Sequence, residues 1–236
     1  MARTYDTSSN PTVEIRDITD IIKPDYMSYA VALYLRSIPN AIDGLKPVQR
    51  RILYTMFINK IFNFEKCVSI VGQTAQLVTT GDTSIYDALV LLGQVDRVRY
   101  PLIVSQGNFG FLNSSTLNSP AAARYTEAHL SEYARDFYFT EDIMFADMTE
   151  NYNGKLKEPT VLPTLLPMAY IQGSNGIAAG YRNYMLPHNL HKLADCYIKF
   201  LEEKNKTVSD FSKLEIYITK HLKIDLNKNK SKIIRE

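Results

Sequence analysis

The chain has 236 residues, 45% of them hydrophobic, which is enough for one substantial core and an appendage. Its formal charge of +2 is too small to imply nucleic acid by itself. Cys67 and Cys196 lie far apart and give neither a disulfide framework nor metal-ligand spacing, so reduced thiols in a cytosolic compartment are expected; no apolar run reaches bilayer length and the N-terminus lacks a secretory apolar core.

Taken in chain order, residues 1–24 read as a polar arm ending at Lys23-Pro24, with a short strand at 12–15. Apolar residues at helical spacing predict a helix over 27–38, stopped by Pro39 because proline disfavours helix in the residue before it. Pro47 opens a second helix to about residue 59, since its missing N–H is no loss at the first helical position. A third helix is expected over 68–77. After Gly81, Ser84 and Asp87 fit a capping box for a helix over 85–92. Helix, glycine-containing turn and helix form a helix-turn-helix pattern, whose second helix commonly enters the major groove.

A strand follows at 100–105, then a tight turn, Gln106-Gly107-Asn108-Phe109-Gly110, that needs glycine's positive φ. Residues 111–119 read as a loop and 127–138 as a helix. A strand-and-turn region contains Asn151-Tyr152-Asn153-Gly154, and a last helix runs over 190–203 ahead of a lysine-rich tail. The fold class is α+β, mainly helical, and the helices, strand and wing-like loop are consistent with a winged-helix domain.

Five segments carry the chemistry. They are Ile42-Asp43-Gly44-Leu45-Lys46-Pro47-Val48-Gln49-Arg50-Arg51, Gly81-Asp82-Thr83-Ser84-Ile85-Tyr86-Asp87, the Gln106–Gly110 turn, Pro120-Ala121-Ala122-Ala123-Arg124-Tyr125-Thr126-Glu127, and Gly173-Ser174-Asn175-Gly176-Ile177-Ala178-Ala179-Gly180 with Leu186-Pro187-His188-Asn189-Leu190 beyond it. The fourth puts a tyrosine directly after an arginine. A phenol ionises near pH 10 and is a poor nucleophile at neutral pH, while an adjacent cation favours the phenolate and can hold a phosphate. In this order and spacing, from about Tyr26 to about Leu190, the segments resemble the breakage-reunion subunit of type IIA DNA topoisomerases, the A subunits of gyrase and topoisomerase IV.

The resemblance implies a DNA-gate domain over 25–189, between the 1–24 arm and a 190–236 helix with the start of a tower-like region or a tail. It implies that Tyr125 attacks a DNA phosphodiester to give a transient 5′-phosphotyrosine break, with Arg124 stabilising charge on the phosphate oxygens. Arg36, Lys46, Gln49, Arg50, Arg51, Thr80, Asp82, Thr83, Ser84 and Ile177 match DNA-binding positions, Ile177 as a wedge between base pairs. Thr83 and Asp87 match the positions where quinolone drugs anchor through a water-coordinated metal. Tyr125 is therefore expected to be exposed on a concave basic surface near Arg50 and Arg51. The chain shows no closely spaced acidic cluster and no glycine-rich phosphate loop. Mg²⁺ and ATP are accordingly expected on a TOPRIM/ATPase partner chain, with double-stranded DNA as substrate and a homodimer in the assembled complex.

Each residue has an ordinary reading beside this one. Arg124 fits a surface cation or a pair with Glu127, Ile177 fits a core isoleucine beside glycines, and Thr83 and Asp87 fit helix capping. The chain also departs from the family pattern. Leu77-Val78-Thr79-Thr80 stands where tyrosine-histidine-proline-histidine is usual, and a threonine cannot shuttle a proton near neutral pH. Gln49 replaces a common histidine, Leu91 an arginine and Ser105 a glycine. These changes motivate a rival reading, a non-catalytic DNA-binding or decoy module. A helix-turn-helix regulator leaves Gln106–Gly110 and Arg124-Tyr125 unexplained.

Overall fold

The computed structural model describes residues 18–111 and 119–204, so the strand expected at 12–15, most of the 111–119 loop and the lysine-rich tail lie outside the described residues. Its centre is three helices on a small sheet: α2 (Pro47–Ile58), α3 (Cys67–Thr74) and α4 (Asp82–Gly93) with β1 (Glu65–Lys66), β2 (Ile103–Gln106) and β3 (Glu127–Leu130). The sheet is antiparallel in the order β1-β3-β2, and Ile103 pairs with Leu130. Ile52, Leu53 and Met56 of α2, Ile70 of α3, Ile85 and Leu89 of α4, and Ile103 and Leu130 of the sheet are fully buried together. Each such side chain contributes about 1.5–3 kcal/mol on leaving water.

Local chemistry sets the helix ends. Pro47 is the first residue of α2, and the Gln49 side chain accepts from the Lys46 N–H at 2.9 Å, satisfying a donor at the helix start. The other end stops where Lys60 turns to φ 55°, just past Asn59. The Ser84–Asp87 capping box does not form. Gly81 takes the extended cap position, the Ser84 N–H bonds the Gly81 carbonyl at 3.0 Å, and α4 begins at Asp82, whose carboxylate suits the positive helix end. The third helix is shorter than expected, ending at Thr74.

Glu127 opens a strand rather than a helix. Residues 127–130 alternate between half-buried and buried and bond β1 on one side and β2 on the other, so ladder pairing overrides a helical reading of the segment. The helix α5 (Glu132–Tyr138) starts only after Ser131, whose hydroxyl accepts from the Ala134 N–H at 3.0 Å. A 3-10 turn (Glu141–Phe145) leads to the hairpin of β4 (Met148–Glu150) and β5 (Lys157–Pro159), with Gly154 at φ 67° in its Asn-Tyr-Asn-Gly turn. Then come α6 (Met168–Gln172), the hairpin β6 (Ser174–Ala178) with β7 (Tyr181–Met185), and α7 (Leu190–Lys204), which buries Leu193, Cys196 and Phe200.

The first helix departs most from expectation. Residues 18–24, expected in the arm, are helical: α1 runs Ile18–Ser37 through Pro24. Proline removes one backbone donor and so one bond of the helix, and α1 is exposed on either side of it from Ile22 to Tyr29. Ile22, Tyr26, Met27, Tyr29, Val31 and Leu35 are exposed apolar residues along it.

Asp43 is the polar hub of the core. Its buried carboxylate accepts from Arg50 Nε at 2.6 Å, Arg50 Nη2 at 3.1 Å, the Leu45 N–H at 2.9 Å and the Leu162 N–H at 3.0 Å. The buried Tyr138 hydroxyl donates to the Asp43 carbonyl at 3.1 Å. Gly44 follows at φ 69°, and a Cβ there would meet the Ala169 backbone nitrogen at 2.8 Å, so both conformation and space demand glycine.

Candidate functional site

The segment 121–126 is a short loop pinned from three sides. The first backbone amides of α3 reach it: Cys67 N–H donates to the Thr126 carbonyl at 3.0 Å and Val68 N–H to the Ala123 carbonyl at 3.2 Å. The glycine turn lies beneath it. Ala121 N–H bonds the Asn108 carbonyl at 2.9 Å, and a Cβ on Gly107, whose φ is 97°, would approach the Tyr125 carbonyl to 3.3 Å. Gly110 is at φ 74°, so the turn uses positive φ as its sequence requires. From α4 the Tyr86 hydroxyl reaches the Ala121 carbonyl and Thr126 Oγ1.

On this platform Thr126 is fully buried while Tyr125 is 64% exposed. The Arg124 guanidinium lies 4.8 Å from the centroid of the Tyr125 ring. A cation held beside an exposed phenol makes this surface locally positive and can attract an anion. Glu127 pairs with Lys66, at 2.6 Å, rather than with Arg124.

The same helix that carries Tyr86 presents Asp82, Thr83, Ser84 and Asp87 to solvent around its first turns. The amides of a helix N-terminus favour anions such as phosphate. Thr80, just before it, is half-buried with its hydroxyl unpartnered. The departure at Ser105 has a structural account: its hydroxyl donates to the Gly93 carbonyl at 2.9 Å and fastens β2 to the end of α4.

Ile177 sits on the separate β6–β7 hairpin and is 68% exposed, which excludes the core reading. The hairpin docks on the end of α1 through Gly176, where a Cβ would fall 2.6 Å from the Ser37 carbonyl, and through Tyr181, edge-on to Tyr34 at 5.3 Å. Burial alternates strictly along β6, so seating Gly176 and Ala178 inward turns Ile177 out. A cavity of about 840 Å³ opens between this hairpin, β4–β5 and the end of α1, lined by Tyr34, Arg51, Glu158, Tyr181 and Arg182 among others.

The basic residues divide. Arg50, expected on the DNA surface, is instead 7% exposed and committed to Asp43. Desolvating an arginine without a counter-charge is costly, and the buried aspartate fixes its direction. Arg51 is half-buried and bidentate to Glu158 at 2.5 and 2.6 Å. Lys46 is half-buried, and burial pushes its ammonium below the usual lysine range. Arg36, in the last turn of α1, and Arg124 are exposed. The concave surface expected around Arg50 and Arg51 is thus a set of closed ion pairs. Tyr86 and the acidic partners Asp43 and Glu158 carry no signal of these roles in the sequence. Tyr86 lies inside one of the five segments, but nothing in a linear sequence says which way its hydroxyl points.

Among the described residues no three His, Cys, Asp or Glu side chains are placed to hold a metal ion. No described helix is long and apolar enough to cross a membrane.

Comparison with known proteins gives the family of the chain. A family model for the A subunit of DNA gyrase/topoisomerase IV matches residues 36–235. The DNA gyrase A subunit of Borrelia hermsii is 39% identical over 198 residues, covering 82% of this chain and 24% of that protein. Its Campylobacter jejuni counterpart is 38% identical over 208 residues, covering 86% and 24%, and that of Mycobacterium tuberculosis H37Rv is 40% identical over 195 residues, covering 80% and 23%. The chain therefore spans about a quarter of the length of these relatives. With a match across most of its length, from the end of α1 onward, the chain belongs to the family of DNA gyrase/topoisomerase IV A subunits.

Proposed function

We propose that this chain is the DNA-cleaving part of a type IIA topoisomerase, with Tyr125 as nucleophile and Arg124 as its electrostatic partner. The observation that carries the reading is an exposed phenol under a guanidinium, on a loop whose next residue is fully buried. The Tyr125 oxygen bonds phosphorus as the bond from phosphorus to the 3′ oxygen breaks. The phenolic proton leaves to solvent and the departing 3′ oxygen takes one up. One phosphodiester replaces another, so the 3′ hydroxyl can reseal the strand by the reverse step. Arg124 offsets the charge that builds on the phosphate oxygens.

The α2–α3–α4 bundle and its three-stranded sheet act as a winged-helix unit, with the first turn of α4 toward duplex DNA. Arg36, Lys46 and Arg51 add phosphate contacts, Arg51 by exchanging Glu158 for phosphate, which gives salt-dependent affinity with little sequence preference. Gln49, Thr80, Asp82, Thr83 and Ser84 belong to the same surface, and Thr83 with Asp87 forms the quinolone-like position. Ile177 supplies an apolar wedge on a rigid hairpin, which trades unstacking for a bend in the DNA. A TOPRIM- and ATPase-bearing partner would carry Mg²⁺, which neutralises phosphate charge, and ATP, which drives strand passage. Two copies of this chain would cut the two strands.

The test mixes the chain with such a partner, supercoiled DNA, ATP and Mg²⁺, and stops the reaction with detergent. Protein-linked linear DNA that disappears with Tyr125→Phe supports the enzyme. DNA binding with no adduct selects the decoy reading, which the loss of the histidine at position 80 favours.

A further inference from the structure

Tyr86 stands in the second turn of α4, behind the exposed first turn, and spans the gap to the nucleophile loop. Its hydroxyl lies 2.5 Å from the Ala121 carbonyl oxygen and 2.9 Å from Thr126 Oγ1. The carbonyl can only accept, so the single phenolic proton goes there, and the Thr126 hydroxyl donates to the phenol oxygen. The two partners stand at either end of the turn that carries Arg124 and Tyr125, whose own N–H closes onto the Ala122 carbonyl at 2.8 Å. Burial pushes the Tyr86 phenol above its ordinary range, so it remains a donor at neutral pH.

We propose that Tyr86 is a positioning residue for strand cleavage: one hydroxyl brackets the loop and holds Tyr125 in register with the first turn of α4. The helix end that faces DNA and the nucleophile then move as one unit. This rests on the reading of Tyr125 as nucleophile. A phenylalanine fills the same space but leaves the Ala121 carbonyl and Thr126 hydroxyl without this partner, freeing the loop while the core stays packed. A displacement of about 1 Å at a reacting group can cost on the order of 10²-fold in rate.

The experiment uses the full chain carrying Tyr86→Phe, reconstituted with the TOPRIM-bearing partner, under single-turnover conditions. The adduct-forming rate is expected to fall about 10- to 100-fold. Duplex affinity stays within about twofold, because the exposed groups on α4 and the phosphate contacts of the surface are untouched. Thr126→Val added to Tyr86→Phe costs less than the sum of the two separately, as expected for a shared contact. Tyr133→Phe is the control: its hydroxyl is buried with no partner, so its loss leaves the rate unchanged. An unchanged rate in Tyr86→Phe, or equal losses of rate and affinity, overturns the proposal. Hydrogen exchange on the chain alone separates the two readings. If the wild type forms no adduct, the Tyr125 reading fails, and the tether is still decided: faster exchange of the Ala121 and Tyr125 amides, which bond the Asn108 and Ala122 carbonyls, in Tyr86→Phe upholds it and unchanged exchange removes it.

Discussion

The segment around Asp43 and Arg50 and the segment around Arg124 and Tyr125 look alike in sequence: each mixes arginine, small residues and tight turns, and each matches the family. Folding treats them in opposite ways. In the first, the arginine turns inward to an aspartate whose carboxylate receives four bonds, and glycine allows Ala169 to approach. In the second, the buried members are a threonine and backbone groups, so the arginine and tyrosine are left facing solvent. A charged motif residue that the fold buries against its own counter-charge, as it does Arg50, is not available for chemistry.

That contrast can be broken by mutation, beginning with the largest effect. Asp43→Ala strands the Arg50 guanidinium in the core and is expected to destabilise the fold by about 3–5 kcal/mol, measured by urea unfolding. Arg124→Ala should leave stability within about 0.5 kcal/mol. Equal losses would erase the distinction between the two segments. Next, Gly176→Ala forces a methyl against the Ser37 carbonyl and is expected to cost about 1–3 kcal/mol while loosening the hairpin that presents Ile177. Ile177→Ala, at an exposed strand position, should weaken DNA bending with little change in stability, read by fluorescence transfer across an end-labelled duplex.

Alkaline pH offers a subtler test. Burial raises the phenols of Tyr54, Tyr86, Tyr133, Tyr138 and Tyr197 above their ordinary value, and the buried Tyr138 hydroxyl also donates to the Asp43 carbonyl. Unfolded tyrosines ionise from about pH 10 while the folded ones keep their protons, so stability is present below that pH and declines above it. Burial raises the Cys67 and Cys196 thiols in the same direction, and Lys46, pushed the other way by burial, opposes them all as a single group. The melting temperature should fall from pH 9 to 11, and Tyr138→Phe should flatten part of the slope; a level profile contradicts the buried phenols. The smallest effect belongs to the Lys66–Glu127 pair, exposed on its lysine side, where Lys66→Ala should cost under about 1 kcal/mol.

Much of the helical layout was legible because local chemistry dictates it. Pro47 announces α2, Gly107 and Gly110 mark their turn, and the apolar spacing from residue 190 gives α7. The differences have both tertiary and local causes. Residues 127–130 became a strand because two neighbours offered ladder partners, and α4 started early because Gly81 supplied the cap. The β6 strand has little periodicity of its own because it is a run of serine, glycine and alanine, and α6, five residues long, is too short to show a helical repeat. At the site, the exposure of Tyr125 was readable from its loop context. The inward turn of Arg50 and the bidentate grip of Glu158 on Arg51 were not, since their partners lie 7 and 107 residues away.

The most direct measurement is to trap the cleavage reaction with detergent, digest the DNA-linked protein, and locate the phosphorylated residue by mass spectrometry. A single phosphonucleotide on Tyr125, attached through a 5′ phosphate, is the predicted result. Attachment at any other side chain, or an undiminished adduct from Tyr125→Phe, contradicts the account.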